Sequence, residues 1–374
     1  MGVESNLEGL RIAGKNALPL IDDFMSAEDE GAVFMKALLA LETGDFQTFN
    51  DLVDVAGQNN QYLLELQSAL AWVNPQYLAE LVKTLLTSDS STDLILGLTT
   101  CAAHNRAPGK YLRRSLSHQD AAVRATAMHV GANLGSVDLV GDLSMINEWE
   151  DNKERYECGR ALALLGDENK ARLILRPLAV GDSSLNTDAV NLYMMFKDAG
   201  ASRSLLKQLD AIEGRERDVV RGFGLLGDPI AMNWLIAKTE IPELSRLAGG
   251  SITMITGIDL AETDLETLDE PEGFEDGGIN DDPEDDNVAM DEDEDLPWPN
   301  PELVAAWWKG AAKPASGQSY LDGRVKQPQE LKEVLSNGMQ RQRNAASVSL
   351  ALLQPESRLL DTRLPAGKQK LWMN

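Results

Sequence analysis

The chain has 374 residues, of which 43% are apolar and 25% charged, a balance that suits a protein able to bury a core. Its 34 basic against 60 acidic side chains leave a net charge of −26, which argues against a nucleic-acid binder, because phosphate neutralisation needs clustered Lys and Arg. The two cysteines, Cys101 and Cys158, cannot build a disulfide framework. No stretch of 18 apolar residues predicts a membrane span, and Met1 to Asn6 begin no secretory signal, so a cytoplasmic protein is expected.

From the N-terminus onward, apolar residues recur at helical spacing and keep ending at a small turn. Gly or Asn marks these turns at Gly44, Asn74, Asn105, Gly135, Gly166, Gly200 and Gly227, in steps of 30, 31, 30, 31, 34 and 27 residues. A fixed period of this size indicates a helical-repeat array. Gly and Asn tolerate the left-handed conformation that closes a helix. Asp45, Asp167 and Asp228 are placed to accept hydrogen bonds from the free N–H groups that open the next one. Pro75 and Pro229 suit a first helical position. Leu63, Leu66 and Leu70 share one helical face, as do Val123, Ala127, Val130 and Leu134. One hairpin cannot bury such a stripe alone, but stacked neighbours can. The expectation is an all-α solenoid over residues 1–258.

The charge then changes abruptly. Residues 259–295 hold 19 acids and no Lys or Arg. Such a stretch buries too little apolar surface to offset its ordering entropy, and it predicts a disordered acidic linker. Residues 296–374, with 11 basic and 6 acidic side chains, predict a small, mainly helical module that contains Trp298, Trp307, Trp308 and Trp372.

The segment Asp120 to Ala127 running on to Leu134-Gly135, with its partial echo from Asp218 to Arg221 and Leu226-Gly227-Asp228, resembles HEAT-like repeats. Further stretches occur in order: Leu10 to Gly14, Ile255 to Leu260, Trp298-Pro299 with Ala305 to Trp308, Tyr320-Leu321 with Gly323-Arg324, and Gln340 to Arg343 with Ala345-Ala346. Together they resemble an uncharacterised bacterial family of HEAT-like proteins associated with type VI secretion loci. The resemblance implies a role in that apparatus or its cargo and carries no catalytic residues.

Cys101 and His104 share a helical face, but a structural zinc site needs four ligands. The dense acids Asp281, Asp282, Asp285 and Asp286 lack the spacing of an EF-hand loop. No catalytic residue, metal or cofactor is therefore expected. Some HEAT-like proteins are bilin lyases, yet neither the Cys nor the His pattern singles out a chromophore site. Trp307, Trp308, Arg341, Arg343, Arg113, Arg114, Arg172 and Arg176 are candidate protein-binding residues, since interface hot spots favour Trp and Arg. Burial of the tryptophans within the module is the competing expectation. Arg113, Arg114, Arg172 and Arg176, with Lys110, Arg203 and Lys207, form a basic set on the second helices that could attract the linker. The functional expectation is a non-catalytic scaffold that binds a type VI secretion effector, spike or adaptor component. An immunity protein sequestering a toxin effector is the alternative, and a bilin-lyase-like enzyme a more distant one.

Overall fold

Tight helix ends and short apolar faces organise the chain throughout the computed structural model, which describes residues 2–26, 30–57, 59–267, 292–315, 317–364 and 369. Among these residues are 20 α-helices and one two-stranded hairpin, so the chain is all-α in class. It divides into two compact units, Met1–Ala161 and Leu162–Asn374. The sequence had suggested boundaries at 258 and 295 instead.

The first unit contains α1 (Gly2–Ala13), α2 (Leu18–Ser26), α3 (Glu30–Thr43), α4 (Phe46–Ala56), α5 (Asn60–Trp72), α6 (Ala79–Thr87) and α7 (Ser91–Ala103). It continues through α8 (Lys110–Ser115), α9 (Ala121–Asn133) and α10 (Val140–Ser144) into α11 (Asn152–Leu164), within which the division falls. Helix α3 packs on α5, α5 on α7 and α7 on α9, while α4, α6 and α8 lie against α5, α7 and α9. The apolar face anticipated on α5 is the one that is buried: Leu66 and Leu70 are fully enclosed with Leu38, Leu41, Phe49 and Leu96. Burying each such side chain contributes about 1.5–3 kcal/mol. Between α9 and α11, Glu157 is 4% exposed in its side chain and meets His129 Nδ1 at 3.1 Å, Lys153 at 3.2 Å and Arg160 at 3.6 Å. Alongside, Arg124 bonds Glu154 at 2.6 Å.

The second unit contains α12 (Glu168–Val180), α13 (Asn186–Met194), α14 (Ala199–Leu209), α15 (Glu216–Leu226), α16 (Met232–Lys238) and α17 (Pro242–Thr256). After residue 292 come α18 (Pro301–Gly310), β1 (Tyr320–Leu321), β2 (Arg324–Val325), α19 (Pro328–Asn337) and α20 (Gln340–Leu353). Helix α12 packs on α13, α13 on α15, and α15 on α17.

The anticipated turns are mostly where the sequence put them. Gly44, Asn105, Gly135, Gly166 and Gly227 all have positive φ. Asp45, Asp167 and Asp228 cap the following helices through Thr48, Lys170 and Ile230 N–H. Two markers do something else. Asn74 has φ −64° and caps the next turn through its side chain, and Gly200 lies inside the first turn of α14, whose cap is Asp198. Asp198 stands 31 residues after Asp167 and 30 before Asp228, so the uneven steps around Gly200 came from the wrong marker.

The hairpin has a specific task at the helix ends. The last carbonyls of a helix have no partner within it. On α15, Lys326 Nζ donates to Leu225 O and Leu226 O, and Tyr320 N–H donates to Gly227 O at 2.8 Å. On α17, Asp322 N–H reaches Met254 O at 2.8 Å and Gly323 N–H reaches Ile255 O at 3.1 Å. Asp322 and Gly323 both have positive φ, as the tight hairpin turn requires.

The ends of the acidic stretch are packed. Leu260 and Leu265 are buried with Ile252, Val304 and Trp308, and Thr267 N–H bonds Trp298 O at 2.8 Å. Residues 259–267 and 292–295 thus belong to the folded unit, because two leucines and backbone bonds outweigh the local charge. The middle of the expected linker, 268–291, lies outside the described residues, as do Trp372 and most of the chain beyond 364.

Candidate protein-binding site

The proposed tryptophan anchors are largely internal. Trp308 is 9% exposed among Leu244, Leu247, Leu265 and Val304, and Trp307 packs half-buried against the same cluster. Their rings lie 5.9 Å apart at 41°. Trp298 takes the Arg246 guanidinium over its face at 4.5 Å. These rings hold α16, α17 and α18 together.

The arginines separate by environment. Arg113 pairs with Asp138 at 3.2 Å and Asp142 at 2.8 Å, and neighbouring Arg114 is exposed on α8, in the first unit. In the second unit, Arg172 bonds Asp198 at 2.6 Å, Arg176 bonds Gln208 at 2.6 Å and Arg203 bonds Asp228 at 3.1 Å. Each of these joins neighbouring elements locally. Arg343 donates to Leu335 O at 2.8 Å and to Gln369, fastening the chain after α20.

Arg341 takes part in a larger arrangement. Its Nη2 meets Asp295 at 2.6 Å and Glu292 O at 3.2 Å. Two arginines of α15 face the same segment: Arg217 bonds Asp293 at 2.7 Å and Glu292 at 3.4 Å, and Arg221 bonds Glu292 at 3.2 Å. Burial by itself would make the Arg217 guanidinium easier to deprotonate, but Asp293 and Glu292 outweigh this and hold its proton more firmly than usual. The Asp293 side chain is 6% exposed, so removing Arg217 would leave a shielded carboxylate without its counter-charge. Among the described residues of the acidic run, Glu292, Asp293 and Asp295 are therefore held by Arg217, Arg221 and Arg341. Arg217 and Arg221 were absent from the candidates. Their four-residue spacing, which puts both on one face of α15, was the available signal.

Beside this clasp is a cleft of about 330 Å³ with Met195, Leu225, Leu247 and Met254 as its apolar surface. Asn191, Arg221, Ser251, Arg341 and Asn344 add polar groups, and the Asn191 Oδ1 has no hydrogen-bond partner among the described residues. Glu292 and Asp293 form part of the same lining.

Among the described residues, no group of three or more His, Cys, Asp or Glu is placed to hold a metal ion. Cys101 is buried, and burial pushes its thiol up to about 11, while the His104 ring bonds Leu70 O at 2.8 Å. His118 Nδ1 accepts from Asp120 N–H, and His129 is engaged by Glu157. No family model matches the chain, and neither a curated protein nor a solved structure matches it.

Proposed function

We propose that this chain is a non-catalytic protein-binding scaffold, acting in the cytoplasm, whose successive helix pairs stack as a HEAT-like solenoid. The sequence resemblance makes its partner an effector, spike or adaptor component of a type VI secretion apparatus. The observation that supports binding is the composition of the cleft beside Arg341. Methionine and leucine side chains adapt to an apolar partner surface, while the guanidinium groups engage carboxylates in a fixed geometry. Arg341 remains 44% exposed even with Asp295 bonded to it, so it is accessible to a partner.

The test is co-expression with effector and spike components, followed by affinity capture of the full chain and of Arg341→Glu. Wild type should retain one component and the variant should lose it at least about tenfold, as expected for a charge-assisted contact reversed in sign. An unchanged affinity in a variant that melts like wild type overturns the role of this cleft. Protection of toxin-expressing cells by the chain would replace the adaptor role with that of an immunity protein.

A further inference from the structure

A second cavity, also about 330 Å³, opens beside the C-terminal end of α15. Met194, Phe196, Leu226, Val325 and Leu352 give it an apolar wall. Its charged lining runs against the rest of the molecule. In a chain of net charge −26, the described lining holds Lys197 and Lys326 and neither Asp nor Glu. Its size falls at the lower end of the range of about 300–1,000 Å³ common to small-molecule sites.

Two groups in this cavity are left incompletely answered by the protein. Lys326 Nζ donates to the Leu225 and Leu226 carbonyls, yet it makes no ion pair with any described carboxylate. An ammonium has three N–H donors, and carbonyl dipoles do not neutralise its charge. Ser349 also lines the cavity, is 3% exposed, and has a hydroxyl without a hydrogen-bond partner among the described residues. A serine within a helix ordinarily satisfies its hydroxyl on the carbonyl one turn earlier, so an orphan at this depth is costly.

We propose that this cavity binds a small amphiphilic monocarboxylate, its anionic head engaged by Lys326 and the Ser349 hydroxyl and its apolar chain lying along Met194, Leu226, Val325 and Leu352. A carboxylate supplies the missing counter-charge and the missing acceptor at once, and Met194, Phe196, Leu226, Val325 and Leu352 give an apolar tail a surface to cover beside the polar Gln318, Ser319 and Gln327. Burial lowers Lys326 to about 8, which leaves it largely protonated at neutral pH. Lys197, exposed on the same lining, is the other titratable group facing the site. This inference is independent of the protein-binding role, because the cleft at Arg341 has a different set of charged residues.

The probes are octanoate and 1-octanol, titrated by calorimetry into the full chain. Octanoate should bind with one-to-one stoichiometry, and the alcohol at least about tenfold more weakly, since it lacks the charge that Lys326 answers. The ammonium is lost as pH rises through about 8, so octanoate affinity should fall between pH 7 and pH 9.5 while the octanol signal stays level. Ser349→Ala, which removes an unpaired hydroxyl, should weaken octanoate without lowering the melting temperature. Lys326→Gln should abolish the preference for acid over alcohol. Because Lys326 also caps α15, the two wild-type comparisons decide the matter if that variant does not fold. Equal affinities for acid and alcohol, multiple-site uptake, or octanoate binding independent of pH would each overturn the proposal.

Discussion

Replacing Gly227 by alanine tests whether the hairpin is seated directly on the end of α15. Gly227 has φ +73°, and an added Cβ would fall inside the envelope of the Tyr320 carbonyl oxygen and 2.9 Å from the Tyr320 carbonyl carbon and nitrogen. Gly214 supplies the control within the same unit: its φ is +79° and a Cβ there meets no atom within 4 Å. Gly214→Ala should therefore cost only the conformational term, about 1 kcal/mol. Gly227→Ala carries that term and adds displacement of a backbone that cannot rotate away. It also sacrifices the Tyr320 N–H bond to Gly227 O, worth about 1 kcal/mol, and loosens the packing of Tyr320 and Leu321, 7% and 1% exposed. A total of about 3–4 kcal/mol follows, at the upper end of the usual range for point substitutions. For a unit of this size the melting midpoint should drop by roughly 6–16 °C, against roughly 2–4 °C for the control. Thermal unfolding followed by circular dichroism and by tryptophan fluorescence reads both values. Equal losses in the two variants would refute the close approach of the hairpin.

The remaining expectations concern the first unit. Burial alone would raise the Glu157 carboxyl, but His129, Arg160 and Lys153 outweigh it and hold the group down at about 2, below its ordinary 4.5. Its contribution, on the order of 3 kcal/mol, is therefore present above pH 4.5 and fades as pH falls toward 2. Glu157→Gln should lower stability in urea at pH 7 and flatten the loss between pH 5 and pH 3; a slope identical to wild type would contradict this account. Cys101, raised to about 11, and Cys158, 0% exposed, should both resist a disulfide reagent at pH 8 and react only after unfolding. Prompt modification of either thiol in the native protein would show that its surroundings open easily.

How far the sequence revealed this molecule depended on which interactions were local. Caps involve residues one turn apart, so Asp45, Asp167 and Asp228 could be assigned from their spacing alone. Gly200 misled because glycine also fits inside a helix, whereas Asp198 two residues earlier kept the period. Asp322-Gly323 was a legible turn signal between Tyr320-Leu321 and Arg324-Val325, but strands of two residues show no alternation. Their partners, the carbonyls of α15 and α17, are far away in sequence and leave no periodic trace. Arg341 could be singled out as one arginine on a helix; its association with Arg217 and Arg221 depends on where residues 292–295 return to the fold. Trp307 and Trp308 were ambiguous because the same large ring serves a core and an interface equally well, and only the neighbouring leucines decide.

The long reach of the hairpin also sets an order of events during synthesis. The bond from Lys326 to Leu225 O spans 101 residues. At common elongation rates, roughly 5–20 s pass between the appearance of α15 and of the lysine that completes its end. Throughout that interval the terminal carbonyls of α15 and α17 must be hydrated, and the apolar surface later covered by α18 and the hairpin stays open. The second unit can thus acquire its final cooperativity only after residue 326 has emerged, whereas the caps at Asp167 and Asp198 close almost as soon as they are made. A ribosome that pauses within the acidic stretch would hold the chain at the stage when its helices exist but their ends are still unsealed.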